Sequence, residues 1–184
     1  MRFFNYKVSF GNQYMRKIIL FIATSLDGYI ARENGDIDWL FTDGDYGYKE
    51  FYDSIDITLT GNATYKQTLT FGEFPFPGKT NYIFSRHITK SKDDRVTFIS
   101  GDIATFGRKL KQQTGKNIWL VGGGEINEIF HRAELIDELI ISIHPIILGK
   151  GIPLFKGAAN SSALTLISHN VYPSGLVQAH YKFK

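Results

Sequence analysis

The chain has 184 residues, enough for one domain that buries about 70% of the surface its unfolded form would expose. Its 43% hydrophobic and 15% aromatic residues are ordinary for a globular protein. A net charge of +3, with Lys and Arg scattered, gives little support to a nucleic-acid or membrane-surface role. The absence of cysteine excludes disulfides, thiolate zinc sites and cysteine nucleophiles, and fits a reducing, cytoplasmic setting.

Residues 1–14 contain no apolar core long enough for a signal peptide, and no stretch of the chain approaches the length of a transmembrane helix. The regular pattern begins abruptly at Met15. Residues 1–14 are therefore expected to be an extension and residues 15–184 a single domain. Asn62-Ala63-Thr64 and Asn160-Ser161-Ser162 match the glycosylation triplet, which carries no weight in a chain without an export signal.

Residues 17–23, KIILFIA, form a continuous apolar run of strand length, as in a central strand covered on both faces. Asp27-Gly28 signals a turn, and Tyr29-Ile30-Ala31 returns briefly to apolar character. The polar loop 32–46 carries Trp39 and four aspartates, whose spacing lacks the glycine and terminal glutamate of a calcium loop. Residues 46–54 predict a short helix and 55–60 a strand that meets a second helix at Gly61. An irregular proline loop, 71–78, precedes strands at 80–84 and 96–99 and a helix at 103–114. The stretch 117–130, NIWLVGGGEINEIF, then predicts a buried strand, three glycines and a helix beginning near Glu125. A strand follows at 138–145. Two strand-like runs, 163–172 and 176–183, should close the chain as an antiparallel hairpin on the sheet edge. Strands alternating with helices argue an α/β domain with a largely parallel sheet, the 17–23 strand beside that at 118–121.

Ligands of such sheets bind outside the carboxyl ends of the strands. Four signals fall on that edge: Thr24-Ser25, residues 61–64, Ser85-Arg86 and residues 122–125. Glycines at a strand-to-helix turn let a ligand approach the backbone, and the free N–H groups of a helix start favour phosphate. A tight turn needing positive φ is the competing explanation. Ser85, Arg86 and Thr64 add hydroxyls and positive charge suited to a phosphate monoester. Asp27 and Asp45 are candidates for positioning a proton donor, with an Asx turn and a helix cap as their structural alternatives. The five histidines form no ligand cluster, no metal is expected, and His144, before a proline in an apolar strand, reads as a packed structural residue.

The order ATSLDGYIA, Trp39, GNATY, FSR, VGGGEI and DELIISIHPIILGKGIPLF resembles the dihydrofolate reductase-like family. The similarity is strongest to its branch containing the C-terminal reductase domain of the bifunctional riboflavin biosynthesis protein, and it runs from about Arg16 to the end. SLDG and the DEL…P…LGKG…LF run are its more specific pieces. The resemblance implies a three-layer αβα fold around a mixed, mostly parallel sheet, often a homodimer, with bound NADPH. Carried over by motif, Val121, Gly122, Gly123, Gly124, Glu125 and Ile126 would surround the pyrophosphate. Gly61, Asn62, Thr64, Ser85 and Arg86 would meet the adenosine phosphates, and Thr24 and Ile30 the nicotinamide.

Three positions depart from the family pattern. Asn62 replaces an Arg common after the glycine of the GRxTY motif, which leaves Arg86 as the main cation for a 2′-phosphate. Val121 stands where riboflavin-pathway reductases often carry Glu. Asp45 has about the spacing of the acid that protonates dihydrofolate, but Gly44 and Gly47 flank it. The implied activity is NADPH-dependent reduction of a small pyrimidine- or pteridine-like substrate. The nearest named reaction is that of 5-amino-6-(5-phosphoribosylamino)uracil reductase. A dihydrofolate reductase and a non-catalytic NADP(H)-binding or interaction protein are the alternatives. The substrate pocket is expected from loops 32–46 and 71–78.

Overall fold

The computed structural model describes residues 15–87, 93–157 and 160–184; the predicted extension 1–14 lies outside them. The strands are β1 (Ile18–Ser25), β2 (Tyr29–Ala31), β3 (Ile55–Gly61), β4 (Thr80–Phe84), β5 (Val96–Ile99), β6 (Asn117–Gly122), β7 (Glu138–His144), β8 (Ile152–Pro153), β9 (Leu164–Val171) and β10 (Val177–Phe183). The helices are α1 (Tyr48–Asp53), α2 (Asn62–Thr68), α3 (Ile103–Lys111) and α4 (Gly124–Arg132).

Eight strands form one sheet in the order β5-β4-β3-β6-β1-β7-β10-β9. Neighbours from β5 to β7 are parallel, whereas β10 runs antiparallel to both β7 and β9. This is the predicted mixed sheet with its terminal hairpin at one edge, and β1 lies beside β6 as expected.

The pleat divides the core into two layers, because successive side chains of a strand point to opposite faces. Ile18 and Leu20 of β1 and Ile118 and Leu120 of β6 pack with Leu110 of α3 and Phe130 of α4. Ile19 and Trp119, one residue out of phase, face Phe51 of α1 and Tyr65 of α2. Ile55 shares parity with Ile57 but lies on the other face, because the β3–β6 register shifts between them. Asp102 caps α3 by accepting the Thr105 N–H at 3.0 Å.

One expectation needs correction, and two segments left open by the sequence take a definite place. Helix α1 begins at Tyr48 rather than 46, because Gly47 adopts φ 79°, outside the helical region. Loop 71–78 is not among the segments lining the large cleft described below. Its Phe74 and Phe76 are buried, and Phe76 meets Trp119 edge-on at 5.1 Å, so burial of aromatic area sets its course. The run 149–155 contributes β8, which pairs antiparallel with β2 in a second, two-stranded sheet. Among the described residues, no helix is long and apolar enough to cross a membrane.

Candidate functional site

Strands β3, β4 and β6 end at Gly61, Phe84 and Gly122, and the three chain segments that follow them border a cleft of about 750 Å3. Of the predicted cofactor residues, Gly61, Asn62, Thr64, Ser85, Arg86, Gly123, Gly124, Glu125 and Ile126 all line it. The topology thus brings together three segments that are up to 65 positions apart in the chain.

Each glycine of the turn answers a different neighbour. Gly122 has φ 102°, a conformation rarely taken by residues with a Cβ, and the Gly122–Gly123 peptide is cis. The Gly123 N–H donates to Thr64 Oγ1 at 3.0 Å, and a Cβ on Gly123 would stand 3.2 Å from that oxygen. A Cβ on Gly124 would run into the Pro153 carbonyl. The Ile126 and Asn127 N–H groups both return to the Gly123 carbonyl at 3.0 Å, which starts α4. Gly124 and Glu125 thus occupy the first turn, where N–H groups have no partner within the helix.

Charge concentrates beside that turn. Glu125 accepts from Arg86 Nη2 at 3.0 Å through Oε2 and from Lys156 Nζ at 2.9 Å through Oε1. The Lys156 hydrogen bond, reinforced by the charges of Lys156 and Arg86, holds the Glu125 carboxyl below the usual carboxylate range. Arg86 is well exposed, with 86% of its side chain open to solvent. Phe84, Ile103, Ile126 and Ile129 supply an apolar wall.

The remaining predicted residues are placed differently. Ile30 borders the glycine turn, its Cδ1 3.7 Å from where a Gly123 Cβ would stand. Thr24 is buried and does not line the cleft. Val121 packs against the Phe51 and Trp119 layer, and Gly122 lies beneath the turn against the Asn127 amide. Asp27 and Asp45 are also outside the cleft lining. Asp27 accepts the Ser25 hydroxyl at 2.7 Å and the N–H groups of Leu148 and Gly149 at 3.1 and 2.7 Å. The Ser25 bond leads in holding its carboxyl below the usual range. Asp45 Oδ1 accepts the Lys49 N–H at 3.0 Å at the start of α1. Both carboxylates accept backbone N–H groups; those on Asp27 come from 121 and 122 positions away rather than from a local Asx turn, and that on Asp45 comes from the first turn of α1.

The sequence reading missed Glu33, Ile152, Pro153 and Lys156, all of which line the cleft. They belong to the β2–β8 pair and its flanks, and Gly151 is the signal that marks them. A Cβ there would collide with the Ala31 carbonyl. Asn127, fully buried, fastens this strip to α4 by donating to the Leu154 carbonyl at 2.9 Å. His144 is buried as expected, its Nε2 accepting the Phe41 N–H at 3.2 Å and its ring edge-on to Trp39.

A second cavity, of about 550 Å3, lies at the amino edge near Lys17, Asp137 and Glu138. Polar pairs border it: Lys17 and His180 flank Glu138 at 2.6 and 3.0 Å, and Lys111 lies 2.7 Å from Asp137. That pairing ties together the starts of β1 and β7 and the end of β10.

A sheet of this order with a glycine turn and cations at its carboxyl edge defines the dihydrofolate reductase-like class. Residues 76–178 match the model of the RibD C-terminal domain, and the chain belongs to that family. It is 41% identical over 170 residues to the uncharacterized protein YwjB of Bacillus subtilis (strain 168), covering 90% of this chain and 97% of that one. YyaP of the same organism is 36% identical over 183 residues, covering 92% and 96%. The crystal structure of a "Putative riboflavin biosynthesis protein" from Shewanella sp. PV-4 superposes with a TM-score of 0.81 at 31% identity, covering 91% of this chain and 99% of that one. A deaminase/5-amino-6-(5-phosphoribosylamino)uracil reductase from Thermotoga maritima shares the fold at TM-score 0.72 and 15% identity. That match covers 92% of this chain and 57% of that one.

Proposed function

We propose that the protein is an NADPH-dependent reductase of a small pyrimidine- or pteridine-like substrate, similar in reaction to 5-amino-6-(5-phosphoribosylamino)uracil reductase. The observation that carries this reading is the convergence of nine motif residues on one cleft at the carboxyl edge. The cleft fits the cofactor. Gly123 and Gly124 bring backbone without side chains to the cleft lining, the first turn of α4 offers N–H groups, and Lys156 and Arg86 supply positive charge. Phe84, Ile103 and Ile129 offer an apolar surface for a flat base.

When bound, NADPH supplies the hydride. The chain's own part is to bind the phosphates at Gly123, Gly124 and Lys156, to fix the turn through the Thr64 hydroxyl, and to wall the cleft with the β2–β8 strip. Asp27 and Asp45 are committed to backbone, so protonation of the product falls to water or to the substrate's own groups. The test is NADPH consumption, followed by absorbance, with a panel of amino-pyrimidines and reducible pteridines. Turnover of a pyrimidine or pteridine supports the reading. Binding of NADPH without turnover of any member of the panel favours a non-catalytic nucleotide-binding protein. An absence of NADPH binding removes both.

A further inference from the structure

The cations of the cleft are already engaged. Arg86 follows β4 and Lys156 follows β8, and the two are joined through the two oxygens of one carboxylate, that of Glu125, at 3.0 and 2.9 Å. That carboxylate belongs to the first turn of α4, where a phosphate would also gain from the helix start. A phosphate entering the cleft needs the same donors and meets a like charge beside them. Accepting the cleft as the NADPH site, we infer that Glu125 is a resident anion that holds Arg86 and Lys156 in place and competes with the dinucleotide phosphates for them. It is thereby a specificity-determining residue that restrains preference for the 2′-phosphate.

The geometry supports this division of labour. Lys156 is anchored at the turn, its backbone N–H donating to the Gly124 carbonyl at 3.0 Å, so it serves the phosphates common to NADH and NADPH. Arg86 stands at the end of β4 with most of its side chain in solvent, free to swing to an additional phosphate once Glu125 no longer holds it. Both ion pairs are partly exposed, so each restrains its cation only modestly. A purely structural acidic residue in the first turn would stabilise α4 and leave nucleotide affinity unmoved.

Two other roles predict different outcomes. If Glu125 accepts a hydrogen bond from the adenosine ribose, as acidic residues do in other dinucleotide folds, its removal weakens NADH. If it serves the helix alone, both affinities stay as they are.

The experiment is calorimetric titration of NADPH and NADH, at fixed ionic strength, into wild type, Glu125→Gln, Arg86→Ala and the double variant. Gln keeps the shape of the side chain and removes its charge. Glu125→Gln is expected to lower the melting temperature of the free protein slightly while tightening NADPH about three- to tenfold and NADH less than threefold. The selective part of the gain should vanish in the Arg86→Ala background. Unchanged or weakened binding of either nucleotide by Glu125→Gln overturns the inference and leaves the cleft assignment standing. A wild type that binds neither nucleotide overturns both.

Discussion

Alanine at Gly123 and at Gly124 should separate what the glycine turn does for ligand from what it does for the fold. Gly123 has φ −74°, open to any residue, and an added Cβ would sit 3.2 Å from Thr64 Oγ1 and 3.7 Å from Ile30 Cδ1. Those neighbours are side chains that can yield by a few tenths of an ångström, so Gly123→Ala should stay within about 1 kcal/mol of wild-type stability. If the proposed reading holds, NADPH at a hundredfold excess over its dissociation constant should add about 2.7 kcal/mol to the wild type. For a chain of this size that is a rise of roughly 5–11 °C in melting temperature. The added methyl crowds the Thr64 hydroxyl that fixes the turn, and on the proposed reading Gly123→Ala should lose most of this rise. Gly124→Ala instead drives a Cβ into the Pro153 carbonyl, a backbone atom held by the β2–β8 pairing. Overpacking of this kind costs about 1–3 kcal/mol, partly offset by the better helix propensity of Ala. The free variant should therefore melt roughly 2–8 °C lower. Melting followed by the fluorescence of the buried Trp39 and Trp119, with and without NADPH, reads both effects. A Gly123→Ala protein with the full NADPH response would remove the turn from the site. A Gly124→Ala protein as stable as wild type would refute the placement of Pro153 against α4.

The His144 ring is pushed below its ordinary pKa of 6.5 by burial, so the unfolded chain takes up a proton that the folded one resists. Its contribution is complete above about pH 6.5 and declines as the pH falls, and urea titrations should show less acid sensitivity in His144→Gln than in wild type. Edge strand β9 exposes Leu166, Ile167 and Val171 at 51%, 50% and 70%, so sedimentation at micromolar concentration should reveal a dimer that Ile167→Lys dissociates; a monomeric wild type would refute this. Asp27→Asn should speed hydrogen exchange at Leu148 and Gly149, whose N–H groups its carboxylate accepts, while leaving exchange in β6 unchanged. Equal rates at Leu148 in the two proteins would refute the proposed pin.

Much of the sheet was legible because its strands obey a local rule. Parallel strands buried on both faces are short apolar runs, and β1, β6 and β7 announce themselves that way. The phosphate side of the cleft was legible for a related reason, since strand-to-helix junctions fall on one edge of such a sheet whatever the order of the strands. Loop 71–78 reads as an irregular proline loop because its phenylalanines follow no helix or strand period, yet Phe74 and Phe76 fill the aromatic layer around Trp119. Asp45 could be placed from the sequence only by its spacing from Gly61, which says nothing of direction; its carboxylate turns back to the Lys49 N–H. The pairing of Arg86 with Glu125 joins residues 39 positions apart, and no periodicity reports it.

SLDG and LGKG were recognised as separate pieces of one family pattern, yet physically they are a single object. Asp27 of the first accepts the N–H groups of Leu148 and Gly149 in the second, across 121 and 122 positions of sequence. That pin sets the start of the run whose Gly151 must pass the Ala31 carbonyl, whose Ile152 and Pro153 pair with β2, and whose Pro153 carbonyl meets Gly124. Lys156, three residues further on, is thereby delivered to the first turn of α4. A carboxylate offered by the sequence as one that could position a proton donor thus acts on the cleft at a distance, by fixing the strip that closes one wall and carries one cation. The glycines at 124 and 151 are required by that same packing, whether or not a phosphate is present. Gly123 differs from them: its φ suits any residue and its nearest neighbours are side chains that can yield, so the response of Gly123→Ala to NADPH, rather than packing, decides whether a ligand requires a glycine there.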